Sequence, residues 1–176
     1  MSQSNPVTIS KRRLMLYKAI QEFPDNQRIR NALLRTYASE HIKVSAQDGV
    51  YINYSRVDEL FALELDTKLR KAGVNVWLDQ IDIDPDEDWE YAISNTINRS
   101  GVMILVLSPH AVDDIQLQQE ATTFLELGKV VIPVVHETCD LDALDLILPP
   151  IDFSQNFDKG LQLLLQGLIV KSAVNV

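Results

Sequence analysis

The sequence predicts an α/β fold: a five-stranded parallel sheet with helices on both faces, flavodoxin-like in its order, behind a small N-terminal helical hairpin. Three observations predict it. Val102–Leu107 (VMILVL) and Val130–Val135 (VVIPVV) are continuous apolar runs, and strands that do not alternate are covered on both faces. The segment between them has turn signals at both ends, Ser108-Pro109 and Gly128-Lys129, which makes one βαβ unit with a right-handed crossover. Around that unit, strand and helix patterns alternate, β-α-β-α-β-α-β-(α)-β-α, as in an open sheet wound on both faces.

Residues 1–10 read as disordered. Lys11–Glu22 reads as a short helix with Leu14, Tyr17 and Ile20 at helical spacing, broken at Phe23-Pro24. Asp25 then caps a helix to about Ser39, with Ile29, Leu33 and Tyr37 on one stripe. This hairpin is too small to fold alone and is expected to pack on the body or on a partner. Residues 40–48 read as a linker, so the division is 1–47 for the extension and 48–176 for the main domain.

In the body, Val50–Ser55 is the first strand. Asp58 reads as the N-cap of a helix Glu59–Ala72 that buries Phe61, Leu65 and Leu69 and ends at Gly73. Val74–Leu78 is the second strand, and Asp79–Asp88 an acidic loop broken by Pro85. Trp89, Ile93 and Ile97 recur every four residues, which makes a helix Asp88–Arg99 capped by Asp88. After the central unit, His136–Leu148 is a loop, Ile151–Phe153 a short edge strand limited by Pro149-Pro150, and Asp158–Val170 a closing helix.

Composition narrows the function. Residues 1–43 hold eight Lys/Arg against three Asp/Glu, a net of +5, and residues 44–176 hold eight against twenty-two, a net of −14. An acidic body lacks the clustered cations that phosphate contacts need, which argues against nucleic-acid binding. The basic head could dock an acidic surface, its own or a neighbour's, or be a solvated face. No apolar run approaches the ~18 residues of a membrane span, the start is polar rather than signal-like, and the single Cys139 points to a reducing cytosol.

Several motifs fail on inspection. The glycines are isolated, so there is no dinucleotide fingerprint or phosphate loop. Asp82, Asp84 and Asp86 imitate a calcium loop, but its sixth position is Glu87 and its twelfth Ile93. No zinc-like spacing exists, and His41, His110 and His136 have no nucleophile elbow near them. No metal and no cofactor are expected.

Glu120 lies on the helix between the two long strands, roughly 60° to 80° off the stripe of Leu117, Ala121 and Phe124. It would sit at the rim of the core, near the strand ends where open α/β sheets bind ligands. Position alone favours a surface carboxylate.

The body, from about Asp48 to Ile169, resembles a TIR domain, the Toll/interleukin-1 receptor homology module, of the bacterial type. The resemblance lies in an ordered set: YINYSRVD, LDTKLRKAGVNVWLD, IDIDPDEDWEYAISNTINRS as BB loop and helix, VMILVLSPHAV, and QEATTFLELGKVVIPVV. Some members of that family cleave NAD+ at the nicotinamide–ribose bond, and others are adaptors that associate with further TIR domains. The resemblance implies Glu120 as the catalytic carboxylate. It also implies Tyr54, Ser55 and Arg56 after the first strand, Trp77 and Asp79 after the second, and Trp89 as substrate-binding residues. Trp77 reads as core before pocket wall, Asp79 also as a turn cap, and Arg56 as a partner of phosphates or of a neighbouring acid. NAD+ would be substrate, not cofactor.

The chain departs from the family pattern. Asn53 stands where Ser is usual, Asp86 where the BB loop has Gly, and Asp114-Ile115-Gln116 where Ser-x-Trp precedes the Glu. Two functions follow: an NAD+ nucleosidase of prokaryotic defence, cytoplasmic and switched on by self-association, or a non-catalytic TIR scaffold.

Overall fold

The computed structural model describes residues 12, 15–16, 18–20, 22–39, 43–44, 49–78, 86, 88–142, 144, 146 and 148–170. In chain order the elements are α1 (Gln27–Ser39), β1 (Lys43–Val44), β2 (Gly49–Asn53), a 3-10 turn (Arg56–Asp58), α2 (Glu59–Lys71), β3 (Val76–Trp77), α3 (Trp89–Arg99), β4 (Ser100–Leu107), α4 (Pro109–Val112), α5 (Ile115–Glu126), β5 (Val130–Val135), β6 (Ile151–Asp152), α6 (Phe157–Gly167) and β7 (Ile169–Val170). Five strands form one parallel sheet in the order β3-β2-β4-β5-β6. None of the described helices is long and apolar enough to cross a membrane.

The continuous apolar runs have a direct cause. In β4, Val102, Ile104 and Val106 enter one core with α1, α2 and α6, and Met103, Leu105 and Leu107 enter the other with α3 and α5. A strand whose successive side chains point to opposite faces must be apolar throughout when both faces are covered. Ile20 and Leu33 of the N-terminal segment belong to the first core, so the extension packs on the body.

Two helix ends use glycine at positive φ. Gly73 (φ 86°) follows α2, where Val74 N–H donates to the Leu69 carbonyl at 3.0 Å. Gly128 (φ 72°) follows α5, where Lys129 N–H donates to the Phe124 carbonyl at 3.2 Å. Both are Schellman endings. Lys129 Nζ also donates to the Ile97 carbonyl at 2.6 Å, which ties the end of α5 to that of α3.

The structure corrects five local expectations. The cap of α1 is Asn26, whose Oδ1 accepts from Arg28 and Ile29 N–H at 3.1 and 3.3 Å, one residue beyond Asp25. Asp58 does not cap α2 with its side chain; its carboxylate accepts from Ser108 Oγ at 2.5 Å, a partner 50 residues away. The closing helix ends at Gly167 rather than Val170. Leu168 turns out of helical geometry (ψ 88°) with its side chain in the core, and Ile169–Val170 pair in parallel with Lys43–Val44. That pairing also gives the linker a strand. Finally, two helices follow β4 instead of one. Ser108 caps α4 by accepting from Ala111 N–H at 3.1 Å, and Asp114 caps α5 by accepting from Leu117 N–H at 3.2 Å.

Candidate active site

The site is built where the C-terminal end of β2 meets the first turns of α5. Asn53 ends β2, is 4% exposed, and donates from Nδ2 to the Leu117 carbonyl at 3.1 Å. That bond seats α5 on the strand. Asp114, which replaces the usual Ser, still caps the helix. With the start and flank of α5 fixed, Glu120 comes over Tyr51: Tyr51 Oη donates to Glu120 Oε2 at 3.1 Å. From one turn earlier on α5, Gln116 Nε2 donates to Glu120 Oε1 at 3.3 Å.

Beside this carboxylate is a cleft of about 270 Å³ lined by Asn53, Tyr54, Ser55, Arg56, Asp114 and Glu120, with Tyr51, Gln116 and Leu117. Glu120 itself is half-buried, at the rim of the second core formed in part by Leu117, Ala121 and Phe124. Tyr54 and Ser55 are buried and Arg56 is exposed. The lining carries the acids Glu120 and Asp114 and the cation Arg56. A second, more apolar hollow of about 420 Å³ lies between α3 and α5, lined by Ile93, Ile97 and Leu127 among others, and shares Gln116 and Glu120 with the first. Small-ligand sites usually occupy ~300–1,000 Å³, so the two adjoining hollows suit a ligand with a polar and an apolar part.

The structure thus brings Glu120, Tyr54, Ser55 and Arg56 together. Trp77 is not among the residues that line either hollow. Trp77 pairs in register with Tyr51, packs against the second core, and its indole lies over Gly49 at the start of β2, where an added Cβ would come within 2.2 Å of the ring. Asp79 lies outside the described residues, as do Asp82, Asp84 and Glu87 and the side chain of Trp89. Asp86 and Asp88 are exposed. Tyr51 was not legible as a site residue, and Asn53 and Gln116 read only as departures. One sequence signal was available for Tyr51: a buried Tyr hydroxyl needs a hydrogen-bond partner.

Among the described residues one group could hold a metal ion: Asp58, His136 and Glu137, with ligand atoms within 4.8 Å of one another. Asp58 already accepts from Ser108, and the His136 ring stacks on Phe61 with centroids 4.2 Å apart. Both are accounted for as structural contacts. Nearby, burial first, then the charges of Asp140 and Asp58, push the Cys139 thiol pKa up.

A parallel sheet of this order, with Glu120 beside a cleft at the strand ends, defines a small α/β domain with a candidate ligand site. The family is specific: the model of the TIR domain matches residues 50–165, and the chain belongs to that family. A curated relative from Brachypodium distachyon, a probable 2′ cyclic ADP-D-ribose synthase, is 29% identical over 102 residues. The match covers 57% of this chain and 44% of that protein, so the chain spans less than half the length of this relative. Among solved structures, the TIR domain of the Toll-related receptor TRR-2 from Hydra magnipapillata has a TM-score of 0.55 at 20% identity, covering 66% of this chain and 94% of that one. The TIR domains of the activated Roq1 resistosome give 0.55 at 14% identity, covering 68% and 98%. These likenesses establish the fold.

Proposed function

We propose that this domain cleaves NAD+ at the nicotinamide–ribose bond, with Glu120 as the catalytic carboxylate and no cofactor. The observation that carries the reading is Glu120 beside a cleft that also holds Tyr54, Ser55 and Arg56. Nicotinamide leaves as a neutral amine from an oxocarbenium-like ribose, so little proton transfer is needed. A fixed, half-buried negative charge stabilises the positive charge that develops. Arg56, which lines the same cleft, supplies the cation that would pair with the pyrophosphate. The plant relative named above, a probable 2′ cyclic ADP-D-ribose synthase, supports the same chemistry here. The product is ADP-ribose or a cyclised form.

Self-association with further copies of the domain completes the proposal, together with a cytoplasmic role in bacterial defence. Purified protein is incubated with NAD+ at high concentration or with a crowding agent, and nicotinamide is followed. Turnover that disappears in Glu120→Ala is expected. No turnover, or equal turnover in the variant, ends the reading and leaves assembly through TIR–TIR contacts. The exposed Tyr91 on α3 and Ile115 on α5, 64% and 70% accessible, favour assembly as the second reading.

A further inference from the structure

Each carboxylate oxygen of Glu120 meets a different neutral donor. Tyr51 Oη reaches Oε2 from the sheet and Gln116 Nε2 reaches Oε1 along the helix, at 3.1 and 3.3 Å. Tyr51 is 2% exposed, so the packed sheet sets the position of its hydroxyl. Gln116 is one turn before Glu120 on α5, the spacing at which helix side chains meet. Asn53, two residues after Tyr51, fastens the same stretch of α5 through the Leu117 carbonyl. A glutamate's terminal torsion is intrinsically broad. Rotating this carboxylate away breaks the bond on one side or the other.

The geometry points to Tyr51 and Gln116 as positioning residues that hold the Glu120 carboxylate aimed at the ribose of a bound NAD+. The inference rests on the reading of Glu120 given above. Neither donor touches a reacting atom; both act through Glu120. Charge that develops during bond cleavage is best met by a group already oriented, because no reorganisation is then needed at that moment. Where the family pattern has tryptophan, this chain has a carboxamide that contributes a donor instead of an aromatic wall. A hydrogen bond donated to a carboxylate favours its charged form.

The test uses Tyr51→Phe, which keeps the ring and removes only Oη, and Gln116→Ala at an exposed position. Glutamate is labelled with 13C at Cδ, the Glu120 signal is assigned by its loss in Glu120→Gln, and its titration is followed in each protein. Tyr51→Phe raises the midpoint by about one pH unit, and Gln116→Ala raises it by less. In NAD+ turnover, Tyr51→Phe lowers kcat about tenfold with KM within about twofold, and the acid limb of the kcat profile moves up with the midpoint. A purely structural Tyr51 would lower the melting temperature and leave the midpoint unmoved. Midpoints within about 0.2 unit of the unsubstituted protein in both variants overturn the proposal. If the midpoints move but the unsubstituted protein turns over no NAD+, the hold on Glu120 stands and the catalytic reading alone falls.

Discussion

Asn53→Asp probes the join between the sheet and the helix that carries Glu120. Asn53 Nδ2 donates to the Leu117 carbonyl at 3.1 Å and to Met103 Sδ at 3.7 Å, in a side chain 4% exposed. The substitution keeps the shape and turns the donor into an acceptor that faces a carbonyl oxygen. Leaving a buried acceptor without its donor costs about 1–3 kcal/mol, and desolvating the new charge raises the total to about 3 kcal/mol. At 1.36 kcal/mol per unit this lifts the introduced carboxyl by about two units, from ~3.9 in the unfolded chain to ~6 in the folded one. The raised folded pKa sets the sign. Below the unfolded value the acid is protonated, its O–H donates to Leu117, and the penalty is absent. Between about pH 4 and 6 the native state binds the extra proton, stability falls with rising pH, and above that window the loss is constant. Urea unfolding of both proteins across about pH 4 to 7, taken as a difference, cancels the groups they share. A gap equal at the two ends of that range, or smaller than about 0.5 kcal/mol at neutral pH, would refute the account of Asn53.

Three further outcomes are expected. Leu33→Ala, at a residue 1% exposed in the first core, costs about 2–5 kcal/mol by chemical denaturation and lowers the single unfolding transition of the whole domain. A stability change near zero would mean that the N-terminal helix does not share that core. Asp114→Ala removes the cap of α5 and costs about 0.5–2 kcal/mol, with amide exchange rising first at Leu117, whose N–H loses its acceptor. Cys139 reacts more slowly with a disulfide reagent at mildly alkaline pH than the same cysteine in the unfolded chain, because burial and the neighbouring Asp140 and Asp58 charges disfavour the thiolate. Equal rates would contradict that surrounding.

Much of the fold was legible because its cause is local. The runs Val102–Leu107 and Val130–Val135 announce strands covered on both faces, and the structure gives alternate β4 residues to the two cores. Gly73 and Gly128 mark helix ends because only a residue without Cβ takes positive φ there cheaply. The overrun of the last helix has a physical reason. Leu161, Leu164, Leu165 and Leu168 keep a helical period, but Leu168 reaches the same core from non-helical backbone, freeing the next two residues to pair with Lys43–Val44. In the site, Glu120 and the stretch Tyr54–Arg56 could be singled out from the residues that carry the family resemblance. Trp77 was singled out the same way, but its register with Tyr51 and its contact with Gly49 depend on strand pairing.

Periodicity, turn residues and charge by themselves determined that this chain is a parallel α/β domain with an acidic body, and the order of the five strands of its main sheet along the chain. Those signals act over a few residues, through propensity and the alternation of faces. Only tertiary structure decided what surrounds Glu120. Tyr51 is 69 residues from it in sequence and Asn53 is 64 from Leu117, and the strand and helix meet only once the sheet is wound. A contact of that kind leaves no period in the sequence, so the orientation of the carboxylate had to be read from the packed fold.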